Sequence, residues 1–224
     1  EALVDLESFN LDGKEGKSLR HTSSKLSKEG YGFSIIPTEG FSEIAPQLRA
    51  ISDEWLRNKN TREKRFSLGC FRLDYLSNFP TVIIHKDTNI VAFANLWTTD
   101  TREELSIDLM RHTEQAPPGV MDFLFIQLLF WGRAEGYRGF NFGMAPMSGF
   151  IEHLRAPLWN KLGGLLYRHG ELFYNFQGLR QYKEKFHPVW RPKYLACPGG
   201  LALPTILTNL ISLLSQGIKG AVIK

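Results

Sequence analysis

The sequence predicts an α+β fold, in which a mixed, mainly antiparallel sheet carries a central helix on one face. Three observations lead to that expectation. The stretch from Val120 to Glu135 is apolar almost all round, and a helix with so little polar surface packs centrally. Three strand-like segments precede it, Thr81–His85, Asn89–Thr98 and Glu104–Met110, and only the turn-like Lys86-Asp87-Thr88 separates the first two. A further strand, helix and strand follow it, in the aromatic-rich second half.

The elements are read in order. Residues 1–13, EALVDLESFNLDG, lack clear periodicity and read as the end of a preceding element. Lys14 to Glu29 reads as a basic helix whose strong apolar contacts are Leu19 and Leu26, with Gly30 as its stop. Gly32–Ile36 is a short strand closed by Pro37. Phe41 to Asn58 repeats Ile44, Leu48, Ile51 and Trp55 at helical spacing, and Asp53 and Glu54 fall off that face. The basic segment 61–71, TREKRFSLGCF, enters a loop at Gly69. In the third strand Leu105, Ile107 and Leu109 share one face, and Glu104, Ser106 and Asp108 the other. Pro117-Pro118-Gly119 opens the central helix. Residues 136–149 form a strand that leads into a Gly/Met/Ser loop, and a helix lies near Leu158 to Tyr167. Beyond Pro198-Gly199-Gly200, an apolar stripe from Leu203 to Ile218 marks a final amphipathic helix.

Composition narrows the function classes. A chain of 224 residues with 43% apolar content can bury a sizeable core, and a net charge of +4 is too mild to mark a nucleic-acid binder by itself. Cys70 and Cys197 lie far apart without ligand-like spacing, which argues against zinc and for buried thiols in a reducing compartment. No run reaches the roughly 18 apolar residues of a membrane span, and no signal peptide is visible. Glu1 in place of an initiator Met suggests a piece of a longer chain.

The stretch from His169 to Ala196 mixes seven aromatic residues with the cations Arg180, Lys183, Lys185, Arg191 and Lys193. Aromatic anchors fix such a segment by burying apolar area, and the cations between them face either solvent or an anion. A solvated basic face and an anion clamp both satisfy that pattern. Read as a strand, the segment puts Lys183 and Lys185 on one side, where two cations suit a phosphate, a carboxylate or a developing oxyanion. Asp108 and Arg111, in SIDLMRHT, sit where the third strand ends. A carboxylate and a guanidinium this close can position an amine and a phosphate, or form a plain surface ion pair. Asp122 is a helix-dipole complement in the first turn of the central helix. His112, His153, His169 and His187 show no metal spacing.

The element order matches the pattern of the GNAT acyltransferase fold. The chain lacks the spaced Gly/Ala turn that GNAT enzymes use for the coenzyme A pyrophosphate. Ala116-Pro-Pro-Gly119 stands in its place, and prolines remove donors there, which argues against an acyl-CoA donor.

Seven segments carry a more specific resemblance: ISDEWL (51–56), FSLG (66–69), VAFANLW (91–97), SIDLMRH (106–112), MDFLF (121–125), FNFGMAPMSG (140–149) and NFQGLRQYKEKFHPVWRPKYL (175–195). Together, and in this order over roughly residues 14–203, they resemble the C-terminal part of the cytosolic catalytic domain of bacterial aminoacyl-phosphatidylglycerol synthases, the multiple peptide resistance factor family. The resemblance implies transfer of lysine or alanine from lysyl- or alanyl-tRNA to phosphatidylglycerol, without a cofactor, and protection against cationic antimicrobial peptides. It also implies partners: an N-terminal GNAT half, a membrane-spanning flippase and the membrane surface, at the cytosolic face of the bacterial inner membrane. Residues 1–36 would then be a connecting helix and lead-in from the first half, 37–203 the second GNAT half of a tandem, and 204–224 an amphipathic helix that packs on the domain or lies at the bilayer.

By the same resemblance, Asp108, Arg111 and Lys183 would be catalytic. Asp108 would hold the aminoacyl α-ammonium, Arg111 a phosphate of lipid or tRNA, and Lys183 the oxyanion or a phosphate, as in the related Fem-type transferases. Arg180 and Lys185 would support them, Ser148 would touch substrate, and Glu171 would bind an amine or pair with Arg168. Two other readings fit the residues. One is a Fem-like transferase acting on a peptide, and the other a non-catalytic tRNA- or lipid-binding module.

Overall fold

A computed structural model of the chain describes residues 1–59, 63, 69–146 and 176–194, together with the single positions 196, 198, 202, 205, 206 and 209; for 176 and 177 only the backbone is described. The expected helix near Leu158 to Tyr167, and all but a few positions of the final amphipathic helix, lie outside the described residues. The strands are β1 (Ala2–Asp5), β2 (Tyr31–Ile36), β3 (Thr81–Lys86), β4 (Asn89–Thr98), β5 (Glu104–His112), β6 (Gly139–Asn141) and β7 (Val189–Trp190). The helices are α1 (Lys17–Lys28), α2 (Phe41–Asn58), α3 (Leu73–Leu76), α4 (Val120–Ala134) and α5 (Phe176–Glu184). They build one sheet in the order β2-β3-β4-β5-β6-β1-β7. Every pairing is antiparallel except β5 with β6.

Two apolar layers sandwich this sheet. On one side α4 buries Phe123, Leu124, Leu128 and Leu129 against Val82, Ala92, Leu96, Leu105 and Phe140, with Leu19 and Leu26 of α1 closing over it. On the other, Leu48 and Ile51 of α2 and Leu76 of α3 meet Ile83, Phe93 and Leu109. Full burial of one such side chain stabilises by roughly 1.5–3 kcal/mol relative to exposure. The α+β architecture with a central helix, the GNAT-like arrangement, is therefore present. Gly119 starts α4 with φ +86°, and a Cβ there would meet Thr22 of α1 at 2.7 Å. The glycine thus supplies both a left-handed turn and the close approach of α1.

The structure corrects several expectations. Residues 1–13 are not without structure of their own: Ala2–Asp5 is a strand inserted between β6 and β7, with Ala2, Val4 and Leu6 buried. Four residues of alternation are too few to register as a period, which is why the strand escaped notice. Residues 1–36 as a whole supply β1, α1 and β2, and both strands belong to the common sheet.

In β5 the expected face of Leu105, Ile107 and Leu109 is broken. Met110 pairs with Ala94 and Ile107 with Leu96, so Asp108 and Leu109 together oppose Asn95. This bulge shifts the alternation. Leu105 and Ile107 face the α4 layer, whereas Leu109 packs in the α2 layer. Arg111, expected beyond the strand end, lies inside β5, which runs to His112.

The aromatic stretch is also corrected. The segment around Lys183 and Lys185 is not a strand, because Phe176–Glu184 is helical and the strand comes later, at Val189–Trp190. Helical spacing puts Tyr182 and Phe186 on one side, where Phe186 is fully buried against Phe125 and Phe142. His187 at φ +52° stops the helix in a left-handed cap, and Pro188 follows.

Candidate active site at the opening between two parallel strands

Residues 104–106 of β5 pair with 139–141 of β6, and there the two strands part. β5 runs on to His112 beside β4. The chain beyond β6 follows β1 instead, with the Ala2 N–H donating to the Gly143 carbonyl at 3.1 Å and the Phe142 N–H to the Ala2 carbonyl at 2.9 Å. At the fork the Ser106 hydroxyl donates to the Asn141 carbonyl at 2.9 Å. The opening has two lips, one built on Asp108 to Arg111 and the other on Gly143 to Ala145.

The bulge makes the first lip. The Leu109 N–H, freed from the ladder, donates to Asn95 Oδ1 at 2.7 Å. Asp108 is half-buried, and the Tyr75 hydroxyl donates to its Oδ2 at 2.7 Å. The backbone at Gly69 is pressed so close that a Cβ there would stand 2.5 Å from that oxygen. Among the described residues no cation pairs with the Asp108 carboxylate. Burial, with Asp108 second, pushes the Tyr75 phenol up to about 12, so it stays a donor at neutral pH.

Arg111 is 4% exposed. Its guanidinium donates to both Glu63 carboxylate oxygens, at 2.9 and 2.7 Å, and also to Ser52 Oγ. It lies over the Trp55 ring at 5.2 Å, and its Nε has no partner among the described residues. Arg111 and Asp108 therefore do not pair with each other.

The second lip holds Lys183. Its side chain is 5% exposed, and Nζ donates to the Met144 carbonyl at 2.8 Å. Gly143 turns the chain there with φ +76°, and a Cβ on it would stand in ordinary contact with Nζ at 4.0 Å. No carboxylate pairs with this amine among the described residues, and desolvation lowers its pKa to about 8. A buried ammonium that donates to a carbonyl and meets no carboxylate among the described residues suits an anion or a developing negative charge.

The expected supporting cations have other partners. Lys185 pairs with both oxygens of Asp122, at 3.1 and 2.9 Å, which ties the end of α5 to the start of α4. Asp122 thus complements the helix dipole and holds a lysine as well. Arg180 pairs with Glu184 at 2.8 Å and lies over Trp190 at 4.8 Å. Ser148 and Glu171 lie outside the described residues. Cys70 is half-buried, and Cys197 also lies outside them. No helix of the described residues is long and apolar enough to cross a membrane.

Tyr75, Asn95, Trp97, Ser52 and Glu63 were not expected at the site. For Asn95 and Trp97 a signal existed: they alternate with Phe93 in a strand otherwise apolar on that face. Tyr75 sits on a four-residue helix, and Glu63 in a basic loop, and neither gives a periodic signal.

Comparison with known proteins matches this chain to one family. The family described as phosphatidylglycerol lysyltransferase, C-terminal, matches residues 1–197. A phosphatidylglycerol lysyltransferase of Bacillus subtilis is 36% identical over 223 residues, 99% of this chain and 26% of the relative. One from Staphylococcus xylosus is 36% identical over 196 residues, 87% of this chain and 23% of the relative. The chain thus spans about a quarter of the length of these relatives. Two solved structures are also similar. The C-terminal domain of a lysylphosphatidylglycerol synthetase from Agrobacterium fabrum superposes with a TM-score of 0.82 at 43% identity, covering 98% of this chain and 66% of that one. L-PGS from Bacillus licheniformis gives 0.76 at 40% identity, covering 96% of this chain and 64% of that one. The chain belongs to the phosphatidylglycerol lysyltransferase C-terminal domain family.

Proposed function

We propose that this chain is the catalytic half of an aminoacyltransferase that moves lysine or alanine from aminoacyl-tRNA to phosphatidylglycerol. The observation that carries the reading is a carboxylate on one lip and an ammonium on the other, neither paired with an opposite charge among the described residues. Asp108 has no cation, and Lys183 has no carboxylate, among the described residues. An aminoacyl ester is complementary to that pair, because it brings an ammonium next to a carbonyl that becomes an oxyanion. The names of the relatives support the lipid acceptor.

In the reaction a glycerol hydroxyl oxygen attacks the ester carbonyl, a new C–O bond forms, and the C–O bond to the tRNA ribose breaks. The proton of the attacking hydroxyl ends on the departing ribose oxygen. Asp108 holds the α-ammonium, so the carbonyl is oriented before reaction. Lys183 faces the tetrahedral oxyanion, already desolvated and already aimed. Arg111 takes a phosphate of lipid or tRNA in exchange for Glu63, since both present oxygens to the same guanidinium fork. Lys185 and Arg180 hold α5 through Asp122 and Glu184, and so hold Lys183. The rest of the machinery, namely a first GNAT half, a flippase and the cytosolic face of the inner membrane, belongs to the longer protein, with 37–203 as its second GNAT half. The product lowers the negative charge of the bilayer and with it the attraction of cationic peptides.

The test is full-length protein with radiolabelled lysyl- or alanyl-tRNA, phosphatidylglycerol vesicles and an acceptor peptide. Labelled lipid is the expected outcome. Label on the peptide, or binding of tRNA without transfer, overturns it.

A further inference from the structure

The Lys183 lip is fixed by side chains on both faces of the chain that leaves β6. On one face Phe142 packs on Phe140 and Phe125, with ring centroids 4.7 Å apart in each pair, and stacks on Phe186 at 4.8 Å. On the other stands Asn141, the last residue of β6, half-buried and paired with Ser106 of β5. Its amide oxygen accepts the Gly143 N–H at 2.8 Å, and its amide nitrogen donates to Glu104 Oε1 at 3.2 Å. Only one orientation of the amide satisfies an N–H on one side and a carboxylate on the other. Asn141-Phe142-Gly143 is thus an Asx turn, in which Gly143 takes a left-handed φ of +76° at no steric cost.

The turn decides which carbonyl Lys183 meets. Both main-chain groups of Gly143 are committed, its N–H to Asn141 and its carbonyl to the Ala2 N–H at 3.1 Å. The next carbonyl, that of Met144, is the one offered to Nζ, at 2.8 Å. The Met144 side chain gives little anchorage, since the residue is 55% exposed. An ammonium has three protons, and placing one on a carbonyl restricts where the other two point. We propose that Asn141 is the positioning residue of the Lys183 lip, its amide holding the turn that presents the Met144 carbonyl to the ammonium. The proposal rests on the transfer reading, in which Lys183 faces the oxyanion, and deepens it by assigning what aims that charge. A carbonyl displaced by about 1 Å misdirects the ammonium without removing it, and misplacement of that order costs up to about a hundredfold in rate. The oxyanion exists only in the transition state, so the loss belongs to kcat and not to KM.

Asn141→Leu and Asn141→Ser in the full-length protein are the test, because packing and hydrogen bonding rank them oppositely. Leucine fills the space of asparagine without an acceptor, whereas serine leaves a gap but keeps an oxygen for the N–H two residues on. In Asn141→Leu kcat should fall about tenfold or more with KM within about threefold, and Asn141→Ser should regain most of that loss. A slower Asn141→Ser, an equal loss in both, or parent rates in both overturns the proposal. Should leucine hinder folding, Asn141→Ala against Asn141→Ser makes the same comparison, with Asn141→Ser again expected to be the faster. A second readout needs no transfer: labelling of Lys183 by a lysine-selective acylating reagent, relative to Lys185, whose side chain is 44% exposed. That ratio should be low in the parent and in Asn141→Ser, and severalfold higher in Asn141→Leu, whose turn is loose. An unchanged ratio overturns the proposal. If no lipid is labelled yet the ratio changes in this way, the positioning role stands and the transfer reading falls.

Discussion

Lys183 shows at the level of one residue how a fold prepares a charge. Its ammonium donates to one carbonyl but is largely desolvated, and desolvation lowers its pKa from 10.5 to about 8. Below about pH 8 both folded and unfolded chains carry the proton. Between about 8 and 10.5 the unfolded chain binds more protons, so stability should rise with pH across that window. In Lys183→Met that rise should vanish, which thermal melts at a series of pH values will show. Transfer should behave oppositely. In the proposed reaction the cation is the working form, so kcat should decline as pH passes about 8. Lys183→Ala should cost about a hundredfold or more in kcat at neutral pH, the loss expected for one oxyanion donor. A rate that climbs above pH 8 would make the neutral amine the working species instead. As candidates Lys183 and Asp108 stand out in the sequence, because a charged residue between aromatics, or inside a strand rich in apolar residues, breaks the pattern around it. The engagement of Arg111 with Glu63 does not, since the two lie 48 positions apart and no periodicity links them.

At the level of elements, two local features decide where these side chains point. The bulge in β5 places Asp108 and Leu109 side by side, where simple alternation would have sent them to opposite faces. Alternation is a property of regular strands, and one extra residue defeats it. Similarly, α5 reads as a strand when Lys183 and Lys185 are counted in twos, and as a helix when Tyr182 and Phe186 are counted in fours. Tertiary packing settles that choice, because the four-residue spacing alone brings both rings onto Phe125, at 6.0 and 5.6 Å. Phe186→Ala should therefore destabilise by about 3–5 kcal/mol, the usual cost of emptying such a core position. It should also lower turnover more than a comparable core truncation remote from α5, because Lys183 loses its support; denaturant melts and rates on the same preparation compare the two. Gly119→Ala combines a left-handed φ with a 2.7 Å approach to Thr22. A loss of about 1–2 kcal/mol in chemical denaturation is expected, with α1 shifted from α4.

For the whole molecule, the sheet with α4 at its centre was legible because long apolar periodic segments dominate it, and those signals survive any tertiary context. The hairpin of β3 and β4, the third strand and α2 all appear where their patterns place them. What escaped was whatever depends on distant partners. β1 and β7 are short, and neither is a strand except in the company of the other and of β6. The opening at the site follows from the same arrangement: β6 is only three residues long, and the chain beyond it keeps to β1.

The position of β1 also has a consequence in time. This strand is made early and used late, for its two neighbours are residues 139–141 and 189–190. At ordinary rates of synthesis, on the order of ten seconds separate β1 from β6 on the ribosome. During that wait Ala2, Leu3 and Val4 have no ladder to join, and β2 to β5 can zip up as a meander without them. The half of the sheet beside α5, made of β6, β1 and β7, can close only after the other half exists. A chain released before residue 139 would hold its Asp108 lip and lack both β6 and the lip opposite. Folding and the completion of the site are then the same late event, and a chain stalled before it would lack the lip that holds Lys183.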